Sequence, residues 1–391
     1  MTLTPKAAVI RQKFAATFGD TGRLIALARS PGRVNLIGEH TDYNEGYVFP
    51  AAVNLSIHVA AQRRTDTQVH VYSSLFEERV DFDLKSLRVE RDHGWANYIK
   101  GVINILTNRG WKMEGLNIYI DSDIPPGGGM SSSAALECAF AMTCQALFPY
   151  QLPRLDMVKV CQKAEHFVGV QCGIMDQFAS VFGKSGHGIF LDCRTLKFEH
   201  VPLPLSDHSI MVINSRVKRS LATVEYNKRR KECEEALKAL KPKFPSMKAL
   251  RDLENEDLDK ALSGLPEIIR KRAKHVAMEC RRTREAVEVL RKGDLRAFGK
   301  LMNSSHASLR DLYQVSCPEL DALAEVAQTI SGVIGARMMG GGFGGCAIAI
   351  VAKTAVEPMK HVLTRMYQTR FATTPEFHEV TTENGTEELK Q

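Results

Sequence analysis

The sequence has no apolar run approaching the roughly 18 residues that span a bilayer. Its first residues, Met1-Thr2-Leu3-Thr4-Pro5-Lys6, lack the apolar core of a secretory signal. Export and membrane insertion are therefore not expected, and the chain reads as cytoplasmic. There is no CxxC pair and no Cys/His cluster with zinc spacing; the nine cysteines, an odd number scattered from Cys138 to Cys346, read as reduced thiols. Internal repeats, low-complexity tracts and long linkers are also missing. The net charge of +7 is small for the chain, so it permits an anionic substrate without demanding one. The densest basic stretch, Arg216 to Lys231, runs directly into Glu232, Glu234 and Glu235, the pattern of a solvated helix of mixed charge rather than a nucleic-acid surface.

What is present is an ordinary globular composition, 44% apolar over 391 residues, enough for two domains. The clearest change of pattern falls at Ser185-Gly186-His187-Gly188, which divides the chain into 1–186 and 187–391. Before it, strand-like runs at Val34–Ile37, Ser56–Ala60 and Leu116–Ile120 alternate with helical patterns and predict a mixed α/β domain. After it, strand-like Ile210–Ile213 and Ala347–Val351 flank a charged helical region from about Tyr226 to Gln328, interrupted by Pro242, Pro245 and Pro266. The fold class is thus α/β (α+β), with strands covered by helices in the second half.

Three motifs carry chemistry. In Pro125-Pro126-Gly127-Gly128-Gly129-Met130-Ser131-Ser132-Ser133-Ala134-Ala135, glycines that bring backbone N–H groups into one concavity run into a serine-capped helix start, where the dipole favours anions. No Lys-Ser/Thr follows the glycines, so the Walker pattern is excluded, and a flexible loop ending in a capped helix is the competing reading. In Arg33-Val34-Asn35-Leu36-Ile37-Gly38-Glu39-His40-Thr41-Asp42-Tyr43, a short apolar strand leads into Glu39, His40 and Asp42, the acceptors and donors that a site reading several sugar hydroxyls requires, while each taken singly is a turn-stabilising residue. Around Gly340, Gly341, Gly342, Gly344 and Gly345 the backbone is either a loop packed over a nucleotide or a purely structural turn. Two acids remain open. Glu165 sits at the edge of a buried stripe formed by Met157, Val160, Cys161, Ala164 and Val168, and is either a ligand or a boundary residue held by a lysine. Asp176, in Gly173-Ile174-Met175-Asp176-Gln177, is either a base or a helix cap.

Taken together, these segments resemble the GHMP family of small-molecule kinases and, through the Arg33–Tyr43 string, its galactokinase branch. Trp95-Ala96-Asn97-Tyr98, Asp192–Leu196, Ser220-Leu221-Ala222 with Glu225-Tyr226, and Ser305–Arg310 add to the likeness, which covers nearly the whole chain. The resemblance implies an N-terminal α/β domain, a C-terminal ferredoxin-like domain, and an active site between them. It implies transfer of the ATP γ-phosphoryl group to the C1 hydroxyl of D-galactose, giving α-D-galactose 1-phosphate and ADP at the start of galactose catabolism. By the same resemblance Asp176 takes the hydroxyl proton and Arg33 steadies charge beside it. Arg33, Glu39, His40, Asp42, Gly173, Asp176 and Tyr226 contact the sugar, while Gly127, Gly128, Gly129, Met130, Ser131, Ser132 and Ser133 wrap the phosphates. Ser133 and Glu165 hold Mg²⁺. The partners expected are D-galactose and ATP, with no nucleic acid or membrane, acting on a monomer. Met130 and Met339 depart from the branch, which usually carries Leu and Thr there. An N-acetylgalactosamine kinase and a non-catalytic galactose sensor are the rival readings, the second opposed by the intact Ser131–Ala135 segment.

Overall fold

The computed structural model describes residues 5–19, 21–217 and 222–390. Ser220 and Leu221 of the supporting motif lie outside the described residues, as do Met1 to Thr4 at the start of the chain.

A six-stranded sheet organises the first half, with the strand order Glu387–Glu388, Ala26–Asn35, Pro50–Arg63, Leu116–Ser122, Gln68–Ser73, Glu78–Asp83. All neighbours are antiparallel except Gln68–Ser73 against Leu116–Ser122, a parallel pair whose crossover carries the helix Ala96–Asn108. The helix Ser132–Leu147 is buried on nearly every side, as its Ala-, Cys- and Phe-rich sequence dictates, and packs on Ala26–Asn35 and Pro50–Arg63. Arg154–Val168 lies beside it, burying Met157, Val160, Cys161 and Ala164. A three-stranded sheet, Tyr47–Val48, His187–Asp192 and Phe198–Pro202, links the halves.

In the second half, His208–Asn214, Val333–Met339, Cys346–Ala352 and Glu376–Val380 form an antiparallel sheet. Numbered along the chain, its spatial order is second, third, first, fourth, with helices between the first and second and between the third and fourth. That is the βαββαβ arrangement expected for a ferredoxin-like half. The position of residue 186 falls between the helix Met175–Phe182 and the strand His187–Asp192, and the C-terminal strand Glu387–Glu388 returns to pair with Ala26–Asn35. Pro266 directly precedes the long helix Glu267–Arg291.

Two expectations differ from the structure. The strand expected at Val34–Ile37 is instead Ala26–Asn35, because the run continues backward through buried Leu27 and Ala28. The helix Ala222–Leu240 is not simply solvated: Arg229 and Glu232 are buried, since Arg229 donates to the carbonyls of Tyr313 and Gln314 and Glu232 accepts from Arg272.

The register of Ala26–Asn35 against Pro50–Arg63 shifts between Pro31 and Arg33. The extra residues of this bulge lie on Pro50–Arg63, opposite Gly32, and the Arg33 side chain reaches the glycine loop, where Nη1 donates to the Gly129 carbonyl. Gly32 sits at the shift, where a Cβ would lie 2.6 Å from the Met130 carbonyl oxygen, which accepts the Arg33 N–H at 3.1 Å. Gly32→Ala is expected to destabilise the fold by ~1–3 kcal/mol through this backbone collision. Thermal unfolding measures it, and a variant with the parent's melting temperature contradicts the packing described.

Candidate active site

The glycine loop ends at Ser131, whose φ of 53° is left-handed, and the helix Ser132–Leu147 begins at once. The expected serine cap is absent: no side chain caps this helix, and the Ser131 hydroxyl instead donates to Asp176 Oδ2 at 2.5 Å. The first N–H groups of the helix have no intrahelical acceptors, and its first residues, Ser132 and Ser133, line the cleft. That cleft is lined by Gly127, Gly128, Gly129, Met130, Ser131, Ser132, Ser133 and Glu165.

A second, smaller pocket is lined by Arg33, Glu39, His40, Asp42, Gly173, Asp176 and Tyr226. The two share Arg33, Cys172, Asp176, Tyr226, Gly340 and Gly341. At the junction Arg33 grips Asp176 with both tines of its fork, Nε to Oδ1 and Nη2 to Oδ2 at 2.8 Å each, while Nη1 donates to the Gly129 carbonyl at 2.8 Å. Burial alone would lower the Arg33 pKa, yet the carboxylate raises it. Asp176 is the second residue of the helix Met175–Phe182, but the helix has no side-chain cap and both carboxylate oxygens go elsewhere.

Each polar group of the smaller pocket is held in place. Gly173 packs so closely on Asp42 that a Cβ would lie 1.9 Å from its carboxylate, so only glycine fits. Burial, together with the nearby Asp176 charge, pushes Asp42 up to about 6. Burial, with His275 and Arg229 close by, pushes His40 down to about 3 and keeps its ring neutral. His40 Nδ1 bonds the Tyr43 hydroxyl at 2.7 Å, and the Gly341 backbone acts on the same ring. Tyr226 lies against His40 and Tyr43, with ring centroids 5.5 Å from each.

On the phosphate side, Glu165 is buried rather than held by a lysine. It accepts from Ser133 Oγ at 3.0 Å, Gln177 Nε2 at 2.6 Å and Cys172 Sγ at 3.5 Å. Burial and the Asp176 charge push it up to about 7. Met339 does not face the cleft: it is buried, with its sulfur accepting the Asn35 N–H at 3.4 Å.

Several contacts around these residues were not assigned from the sequence. Glu39 Oε1 accepts from the Gly340 N–H at 2.7 Å and lies 3.0 Å from Nη2 of fully buried Arg337. Glu279, on the helix Glu267–Arg291, accepts from the Gly38 N–H at 3.0 Å and the Ser305 hydroxyl at 2.6 Å, and pairs with Arg282 at 2.7 Å. An apolar cleft beside Ser132 and Ser133 is lined by Phe76, Trp95 and Tyr98, with Phe76 stacked on Trp95. Only the helical spacing of Glu279 among apolar neighbours could have drawn attention to it, and its partner is 241 residues away.

A phosphate-type loop feeding a helix, a ferredoxin-like second half and a carboxylate between two pockets define the class, an ATP-dependent small-molecule kinase of the GHMP type. The model of the GHMP kinases N terminal domain matches residues 97–184, that of the GHMP kinases C terminal domain matches 286–369, and the galactokinase galactose-binding signature matches 12–63. A galactokinase of Thermotoga neapolitana is 43% identical over 362 residues, covering 92% of this chain and 99% of its own. The structure of Lactococcus lactis galactokinase complexed with galactose superposes with a TM-score of 0.93 at 41% identity, covering 98% of this chain and 100% of that one. Methanococcus jannaschii mevalonate kinase shares the fold, with a TM-score of 0.64 at 18% identity over 93% of this chain and 99% of its own. The chain belongs to the GHMP kinases and, within them, to the galactokinases.

Burial alone would raise the pKa of Glu279, but Arg282, His275 and Arg337 hold it at about 2, below the usual 4.5. A depressed carboxylate contributes stability above its unfolded pKa and loses it as pH falls through the folded one. Glu279→Gln is therefore expected to cost ~3 kcal/mol at pH 7, through the stranded Arg282 charge. The gap to the parent should narrow as pH drops below about 4.5 toward about 2. Denaturant unfolding across that range tests this, and a gap independent of pH contradicts it.

Proposed function

We propose that this chain transfers the γ-phosphoryl group of ATP to the C1 hydroxyl of D-galactose, giving α-D-galactose 1-phosphate and ADP. The observation that carries the reading is the meeting of the two pockets at Asp176, between the glycine loop and the cluster around His40 and Asp42. Asp176 accepts the proton of the attacking hydroxyl, and Arg33, gripping both its oxygens, fixes its direction and steadies charge on the transferring group. Glu39, His40, Asp42, Gly173 and Tyr226 bind the sugar. His40 lines the smaller pocket and offers its neutral ring to a sugar hydroxyl.

The Gly127–Ser133 loop and the helix N-terminus after it wrap the phosphates, and the Trp95, Tyr98 and Phe76 cleft receives the purine. Mg²⁺ fits the remaining donors. Ser133 and Glu165 present hard oxygens 3.0 Å apart, and the Glu165 carboxyl, whose pKa is raised by burial and then by the Asp176 charge, is a buried acid beside a second one that a cation would relieve. Among the described residues no group of three or more His, Cys, Asp or Glu could hold a metal, so the phosphates would supply much of the coordination. When bound, the ion neutralises charge on the β- and γ-phosphates. We place the reaction in the cytoplasm of the cell, on a monomer, at the start of galactose use. No helix among the described residues is long and apolar enough to cross a membrane.

A coupled ATP-consumption assay with Mg²⁺ against galactose, N-acetylgalactosamine, glucose and no sugar tests the reading, with the phosphorylated carbon identified by NMR. Turnover confined to galactose, with phosphate on C1, is the expected result; binding of galactose and ATP without turnover would leave a sensor. Trp95→Ala should raise KM for ATP about ten-fold, the loss of one base-stacking surface, with KM for galactose unchanged. An unchanged KM for ATP removes the purine from that cleft.

A further inference from the structure

Behind the phosphate cleft lies an acid that the proposed chemistry does not use. Glu137 follows Ser133 by one turn on the helix Ser132–Leu147, so the two side chains share a face. It is fully buried, as is Gln177. The Gln177 amide joins two acids: Nε2 donates to Glu165 Oε2 at 2.6 Å and to Glu137 Oε2 at 3.2 Å. Glu137 Oε1 and Gln177 Oε1 are both buried with no hydrogen-bond partner. A core position next to Cys138 and Ala141 would pack well with an apolar side chain, and a buried acid with an unpaired oxygen is costly there.

We propose that Glu137 is a positioning residue: as a neutral acid paired with the Gln177 amide, it holds that amide on Glu165 and so sets the affinity of the site for its divalent cation. This inference rests on the reading that Ser133 and Glu165 take the cation. An acid and an amide match at two points, amide N–H to acid carbonyl and acid O–H to amide oxygen, which satisfies both orphaned oxygens. Burial, reinforced by the Glu165 charge, raises the Glu137 pKa and supplies the O–H that this pairing needs. With Gln177 fixed, Glu165 Oε2 is held at its back and Oε1 stays on the Ser133 side, facing the cleft. Partners that orient a ligating carboxylate typically change metal affinity 10–100-fold when lost.

The test compares Glu137→Gln, which keeps a two-point partner for Gln177, with Glu137→Met, which removes it. Glu137→Met should raise the Mg²⁺ concentration for half-maximal turnover about ten-fold. Its kcat should recover at saturating Mg²⁺ and its KM for galactose should stay constant, while Glu137→Gln stays within about two-fold of the parent on both, since the pairing survives. Mn²⁺ binding to the protein–ADP complex, read by electron paramagnetic resonance, should weaken by the same factor without any turnover. If Glu137→Met does not fold, Gln177→Met breaks the same link from the other side. Glu165→Gln is the control. If it raises the Mg²⁺ requirement and Glu137→Met does not, the inference about Glu137 is overturned while the metal reading stands. If Glu165→Gln leaves the requirement unchanged, the metal reading falls. Equal loss in Glu137→Gln and Glu137→Met also overturns the inference, because a neutral anchor would then not suffice.

Discussion

The bidentate pair between Arg33 and Asp176 is the interaction on which the site depends. Removing a guanidinium and a carboxylate from water is expensive, and such a pair is stable only with good geometry and its remaining donors and acceptors satisfied. Here both tines of the fork bond the carboxylate, the third guanidinium nitrogen finds the Gly129 carbonyl, and the Ser131 hydroxyl completes the Asp176 shell. The pair thereby ties together a strand bulge, the phosphate loop and the helix Met175–Phe182, so the proposed base and the proposed phosphate cradle cannot shift independently. In the proposed reaction the same contacts set the line between sugar hydroxyl and γ-phosphorus, where small misplacements are costly.

A second buried network does for the proposed sugar pocket what this pair does for the proposed phosphate cleft. Glu279 holds the Gly38 N–H, Arg337 and Gly340 hold Glu39, and His275 reaches the Glu39 carbonyl at 3.2 Å. All these partners come from the second half of the chain, so the polar string of the first half is shaped by charges it does not itself contain. The pocket is built before a ligand arrives, with the His40 ring held between the Tyr43 hydroxyl and the Gly341 backbone.

How much of this was legible in the sequence follows from the range of each interaction. Strands with their own periodicity, such as Leu116–Ile120 and Ala347–Val351, were readable because a local pattern decides them. The glycine and polar strings were readable because their composition is unusual within a few residues, and the structure brings them around two adjoining pockets. Ser131 was misread as a cap because capping is the local prior, and a contact 45 residues away overrode it. The departure at Met339 could not be judged from its neighbours, because its sulfur meets Asn35 across 304 residues. The roles of Glu279, Glu137 and Gln177 were not legible, since a buried acid or amide on a helix looks like any other until its partner is known.

The most direct measurement is single-turnover phosphoryl transfer by Asp176→Ala, with galactose affinity determined by calorimetry on the same preparation. The account predicts loss of nearly all transfer from a folded protein that still binds galactose. Transfer close to the parent's rate in that folded variant would contradict it, because the residue gripped by Arg33 would then not be the one that takes the proton.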